Sequence, residues 1–218
     1  MGEQSMGQAD QQVAPQELAL APDLNQADLS LVAQGTRIAT RRGEVPVQDL
    51  VAGDEIVSRD RGLTAVRWVG MLTAGTPSVK VPAGALGRNV PIRDCALSPN
   101  ARIWMSAPEF ETAFTAREVL VPAKDLIGWR GISEDKTGVP MTRYYLVLCD
   151  TPQVLTVNGM HIEMRHVGAA MEMFTTVQAD EMSDLFPELL ALQGKSDKWR
   201  RRLDKREASQ VVDVKKRA

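Results

Sequence analysis

Between Thr36 and Val167, short β-type runs are separated by turn signals at close intervals, and this pattern constrains the fold more than any other feature. "TRIAT" alternates Ile and Ala with polar residues, "DEIVSRD" is a second short run, and "TAVRWVGML" sends Val66, Trp68 and Gly70 to one face. "SVKVP", "ALSP", "RIWMS", "RYYLVLC" and "QVLTV" continue the series. Arg42-Gly43, Ala52-Gly53-Asp54, Arg61-Gly62, Ser98-Pro99 and Asn158-Gly159 punctuate it. Asn158-Gly159 between "QVLTV" and "MHIEM" predicts a tight hairpin, because both residues tolerate positive φ. An all-β body follows. Two helical pieces interrupt it: "PEFETAFTAREVL", with Phe110, Phe114 and Val119 near helical spacing, and "TTVQADEMSDLFPELLALQG", with Met182, Leu185 and Phe186 on one stripe.

The ends differ in charge. Residues 1–30 carry five acidic groups and no Lys or Arg, whereas ten Lys/Arg stand against four Asp/Glu from Lys195 onward, a surplus of six. These segments cancel within a net charge of -2. Residues 1–29 are therefore expected to form a flexible acidic arm, 30–192 the β domain, and 193–218 a basic, helical or flexible tail with too little apolar content to pack firmly by itself. No apolar run reaches the roughly eighteen residues of a membrane span, and "MGEQSMGQADQQ" lacks a basic-then-apolar leader; a cytoplasmic protein is expected. The start misses the myristoylation spacing, with Met6 where a hydroxyl is needed. Cys95 and Cys149 form no metal-binding or disulfide pattern, and their apolar contexts favour packing over relocated nucleophiles.

From "GTRIATRRGEVPVQDLVAGDEIVSRDRGLTAVRWVG" onward, the chain resembles a bacterial Hint domain, the fold of hedgehog autoprocessing domains and inteins. "VPAGALGRNVPIRDCALSPNARIWM", "EVLVPAKDLIG", "RYYLVLCD", "VLTVNG" and "DLFPELLAL" extend the resemblance in family order to about residue 192. It implies a mostly β, antiparallel horseshoe with short helices and an activity of self-processing. In that activity a Cys or Ser attacks the preceding carbonyl, and a His protonates the leaving amine.

The resemblance also implies which positions would act. The first block in the bacterial subgroup reads Cys-Phe-x-x-Gly-Thr; here it is Leu31-Val32-Ala33-Gln34-Gly35-Thr36. The second, Ser-Pro-Gln-His-Arg, is Ser98-Pro99-Asn100-Ala101-Arg102. A third segment, Asp-Arg-His-Glu, aligns with Asp150-Thr151-Pro152-Gln153, and the terminal His-Asn pair with Glu163-Met164, where Glu163 matches a carboxylate usual in the subgroup. Leu31, Ala101 and Pro152 thus replace nucleophile and imidazoles, and the chain's two histidines, His161 and His166, lie elsewhere. The expectation is a catalytically inactive copy serving as a structural or protein-binding module, without cofactor or metal and with another protein as partner.

Gly35, Thr36, Gly53, Asp54, Ser98, Pro99, Asn158, Gly159 and Glu163 are expected to keep structural roles; Pro99 fixes a turn, and Asp54 accepts backbone N–H groups in its loop. A second reading is residual autoproteolysis before residue 30 or 31, with Ser30 as nucleophile; its ordinary role would be a turn residue. A third makes Lys198, Trp199, Arg200, Arg201 and Arg202 a contact for nucleic acid or anionic membrane, against a solvated or self-docking tail. His161 and His166, with Glu163 between them, could ligate a metal if 161 and 163 share a strand face, against the reading of a solvated edge strand.

Overall fold

The computed structural model describes residues 15–17, 24–25, 28–135, 141–164, 179–180, 183–184 and 200–217. In chain order the strands of the first half are β1 Gln16–Glu17, β2 Val32–Ala33, β3 Arg37–Thr40, β4 Gly43–Pro46, β5 Glu55–Ser58, β6 Gly62–Ala65, β7 Trp68–Ala74 and β8 Val79–Val81. Those of the second half are β9 Cys95–Leu97, β10 Arg102–Ser106, β11 Glu118–Pro122, β12 Ser133–Glu134, β13 Thr142–Leu148, β14 Gln153–Val157, β15 Met160–Met164 and β16 Arg201–Arg202. Helix α1 spans Phe110–Phe114 and α2 spans Lys205–Arg217.

These strands build two open sheets. One runs β1-β7-β13-β2-β9-β8-β12; the other runs β16-β11-β10-β15-β14-β3-β5-β6, with β4 beside β3. The mostly β architecture is the expected one. Period-2 alternation explains how the first sheet is buried on both faces. Val32, Val69, Tyr145 and Val147 point into the main core, while Leu31, Ala33, Trp68, Leu72, Tyr144, Leu146 and Leu148 form a second cluster with Leu24 and Leu29. Trp68 lies across Gly70, where a Cβ would stand 2.1 Å from the indole ring, so only glycine fits there.

The Asn158-Gly159 turn joins β14 to β15 with φ of 45° and 79°, the positive pair that suits strand twist. Asn158 also bonds across the fold: its Oδ1 accepts the Arg37 N–H at 2.8 Å, and its amide donates to the Asp94 carbonyl at 3.0 Å. Asp54 Oδ2 accepts the Val51 N–H at 3.1 Å, as its loop position suggests.

Three expectations need correction. First, the helical stripe from Phe110 does not reach Val119. Thr115 takes a left-handed φ of 56° and ends α1, and "EVLVP" becomes β11, paired with β10 over five residues. A β-branched run beside a ready strand outweighs helical spacing. Second, the described part of the supposed flexible arm is docked. Gln16 and Glu17 add parallel to β7, Gln16 Oε1 accepts the Trp68 indole N–H at 3.1 Å, and Leu24 and Leu29 are buried. Aperiodic composition hides such docking because the partner face exists only in the fold. Third, the tail packs firmly: β16 adds parallel to β11, and Leu203, Ala208 and Val211 are buried in the main core. The helical piece expected around Met182–Phe186 falls largely outside the described residues.

Candidate functional site

The segment Leu29–Leu31 enters the first sheet beside the turn Ser98–Ala101, which brings the two blocks singled out in the sequence into contact. Ser98 is the joint. Its Oγ accepts the Leu31 N–H at 3.0 Å and donates to the Leu29 carbonyl at 3.1 Å, while its N–H donates to the Leu31 carbonyl at 3.0 Å. The Ala101 N–H closes the turn onto the Ser98 carbonyl at 3.0 Å. Pro99 sits within this turn, its carbonyl accepting the Lys124 N–H at 2.9 Å.

At the centre stands Leu31, fully buried, its side chain in the apolar cluster under Leu24, Trp68 and Tyr144. Ala101 is likewise fully buried and packs into the main core. Pro152 lies half-buried in the turn that leads into β14, outside the hydrogen-bonded group around Ser98. Gly35, at φ 84°, turns the chain after β2 and donates its N–H to Gln48 Oε1, and buried Thr36 accepts the Val47 N–H through its carbonyl. Gly53, at φ 91°, does the same for the loop before β5. Ser30 is 1 % exposed, and its Oγ accepts the Arg102 N–H at 3.1 Å.

Arg102, the last residue of the second block, has a place at this joint that the sequence reading missed. Its guanidinium bonds Asp28 on one side and Glu163 Oε2 on the other, at 3.2 Å. Glu163, with no exposed side-chain surface, also holds Arg202 at 2.9 Å. An ion-pair relay Asp28–Arg102–Glu163–Arg202 therefore ties the segment before Leu31 to the C-terminal strand. One signal was available: a carboxylate between Ile162 and Met164 on an apolar strand demands a buried cationic partner. Asn100 was also missed; its side-chain amide donates to the carbonyls of Leu24 and Asn25, holding the N-terminal segment over the site.

The tail cations are internally engaged. Arg200 bonds Asp60 and Glu118, Arg201 bonds Glu207, and Arg202 bonds Glu163. Lys198 and Trp199 lie outside the described residues. Each of the three arginines thus has a carboxylate partner, while the Arg201 side chain stays 45 % exposed.

His161 stacks edge-on against Trp104 at 5.3 Å, and burial, aided by the Arg59 charge, holds its imidazole below the ordinary histidine range. It shares a strand face with Glu163 by alternation, but Glu163 is committed to two arginines; His166 is outside the described residues. Among the described residues no group of three or more His, Cys, Asp or Glu is placed to hold a metal ion. No described helix is long and apolar enough to cross a membrane.

Both cysteines are buried, and burial pushes each thiol up to about 12, against hydrogen bonds from Thr36 and Asn158 at Cys95 and with the Asp150 charge adding at Cys149. The thiolate is the reactive form, so neither side chain is primed for attack. Native protein at pH 8 is expected to resist iodoacetamide on the timescale in which urea-unfolded protein takes two carbamidomethyl groups. Rapid labelling of either cysteine in the folded chain, read by intact mass, would contradict this.

The family model for the Hint domain matches residues 32–169. Among solved structures, the gp41-1 intein is 11 % identical, with 63 % of this chain and 98 % of that one covered at a TM-score of 0.39. A DnaB intein from Synechocystis sp. PCC 6803 is 17 % identical, with 62 % and 98 % covered at 0.41. A splice-inactive variant of the AceL NrdHF class 3 split intein is 14 % identical, with 63 % and 99 % covered at 0.41. No curated protein matches the chain.

Proposed function

This chain belongs to the Hint domain family, and from that premise we propose that it is a non-catalytic member, a structural or protein-binding module built on the self-processing scaffold. The observation that carries the reading is Leu31. It occupies the first-block position with its side chain sealed in an apolar cluster and its N–H and carbonyl both bonded to Ser98. Acyl transfer at that position needs a nucleophilic atom and a group that can protonate the leaving amine. A leucine and, across the joint, an alanine supply neither. Removing one member of such a set already costs orders of magnitude in rate.

One observation favours residual self-cleavage instead. The Ser98 hydroxyl donates to the Leu29 carbonyl, the bond partner that attack by Ser30 would polarise. Against it, the Ser30 Oγ is already an acceptor for the Arg102 N–H, and it is backed by no imidazole among the neighbours described above.

Intact-mass measurement of purified protein, with and without hydroxylamine or thiol, separates the two. The expected result is one species at the full-length mass in every condition. A fragment beginning at residue 30 or 31 would assign the protein to autoproteolysis.

A further inference from the structure

One histidine stands where charge is already balanced. His161 pairs with Thr156 on β14 and, from the register Ile103–Ile162, lies opposite Trp104 on β10. Its ring meets the Trp104 indole edge-on, with centroids 5.3 Å and planes 80° apart. The same indole carries the Arg59 guanidinium 3.8 Å from its ring centroid and donates its N–H to Glu118 Oε2 at 3.3 Å. Trp104 is therefore the common neighbour of a cation, a carboxylate and an imidazole.

Among the described residues, the charges of this cluster come from three elements. Arg59 and Asp60 stand in the turn between β5 and β6, Glu118 opens β11, and Arg200 leads into β16. Arg59 bonds Glu118 at 3.0 Å, and Arg200 bonds Glu118 at 3.0 Å and Asp60 at 3.1 Å. Two arginines thus meet two carboxylates. Glu163, next on the same face of β15, is taken by Arg102 and Arg202, and Thr156 Oγ1, 3.5 Å from His161 Nδ1, brings no charge. Arg200 is the member that belongs to the C-terminal segment, which β16 and the Leu203 N–H, bonded to the Leu120 carbonyl at 3.0 Å, fasten to the β11 edge.

We propose that His161 is an acid-sensitive latch on the C-terminal segment, a regulation beyond the module reading above: protonating it sets a third cation beside Arg59 and Arg200 against two carboxylates, and residues 200–217 loosen from the β11 edge. Arg200 gives way because Arg59 is anchored by the hairpin of β5 and β6, whereas Arg200 rides on a two-residue edge strand. Burial and the Arg59 charge, opposed by Asp60 and joined by Arg200, hold the docked imidazole below its ordinary value. Undocking returns it toward that value, about 6.5. Docking is therefore strongest above that pH and weakens as pH falls through it, because the undocked state takes up the proton more readily. Glu118 stays ionised in this window: burial raises its carboxyl, but hydrogen bonds from Arg59, Arg200 and Trp104 outweigh burial and hold it below the ordinary carboxylate range.

Hydrogen exchange on the full chain at pH 7.5 and 5.5, corrected for the intrinsic pH dependence of exchange, tests this. Protection of the Leu203 amide is expected to fall about fivefold at the lower pH relative to the Arg67 amide, which is bonded to the Leu148 carbonyl in the other sheet. His161→Phe keeps a ring against Trp104 and cannot titrate, so its Leu203 protection should not change between the two conditions. Equal protection at both pH values in the wild type would overturn the proposal, as would the same fall in His161→Phe, which would assign it to the carboxylates. If His161→Phe fails to fold by circular dichroism, the His161 ring is titrated by nuclear magnetic resonance in the wild type and in Arg200→Ala, with His166→Gln telling the two histidines apart. Linkage requires that loosening the segment raise the His161 midpoint. A higher midpoint in Arg200→Ala supports the latch; an unchanged one overturns it.

Discussion

Glu163→Ala is expected to lower the unfolding free energy by about 3–5 kcal/mol, measured by urea denaturation. The carboxylate has no exposed surface, and two guanidiniums converge on it whose side chains are 12 % and 23 % exposed. Alanine would leave both cations partly buried, and among the described residues only Arg102 keeps another carboxylate, Asp28, to turn to. Glu163→Gln separates charge from shape: it keeps the volume and an acceptor oxygen, so its loss should be smaller. The two ends of the chain should loosen together, since the relay reaches Asp28 on one side and Arg202 on the other. Hydrogen exchange at the amides of Leu31 and Leu203, bonded respectively to Ser98 and Leu120, reads both ends at once. A loss under about 1 kcal/mol, the worth of a surface pair, would mean that the relay is solvated and the ends are uncoupled.

Leu31→Ala is expected to cost about 3–4 kcal/mol, within the range for truncating a leucine in a rigid core. The site cannot collapse easily, because Trp68 is pinned across Gly70 and by Gln16, and the Leu31 backbone is held by Ser98. Leu31→Cys, which restores the residue type that the family's first block carries, should cost less than alanine because more of the volume remains. It should also produce no cleavage, since Ala101 offers no imidazole. Equilibrium unfolding and intact mass check the two halves of this expectation. A Leu31→Ala variant as stable as wild type would show that the second apolar cluster contributes little. Cleavage in Leu31→Cys would place proton transfer on another group.

Much of the scaffold was legible because it rests on local chemistry. The Asn158-Gly159 turn, the strands around it and the glycine turns at 35 and 53 follow from positive φ and from alternation, both visible in the letters. The ordered blocks from Leu31 to about residue 192 carried the resemblance, and the family model matches residues 32–169 of that span. Less legible was "EVLVP", where helical spacing and β-branching disagreed and pairing with β10 settled the matter. The role of Arg102 was not legible, because its two carboxylate partners stand 74 and 61 residues away.

By itself, then, the sequence determined a strand-rich domain of the Hint family, and the resemblance implied that leucine, alanine and proline stand where the family's reactive residues would. Those are statements of residue type and order, which the letters carry in full. Only the tertiary structure decided that Leu31 is sealed under Leu24 and Trp68, that Ser98 binds both sides of it, and that the acidic and basic ends dock instead of extending into solvent. The reason is physical. A buried face, a free sheet edge and a carboxylate awaiting an arginine arise only when distant segments meet, and residues such as Gln16, Leu24 and Arg202 acquire a role from that meeting alone.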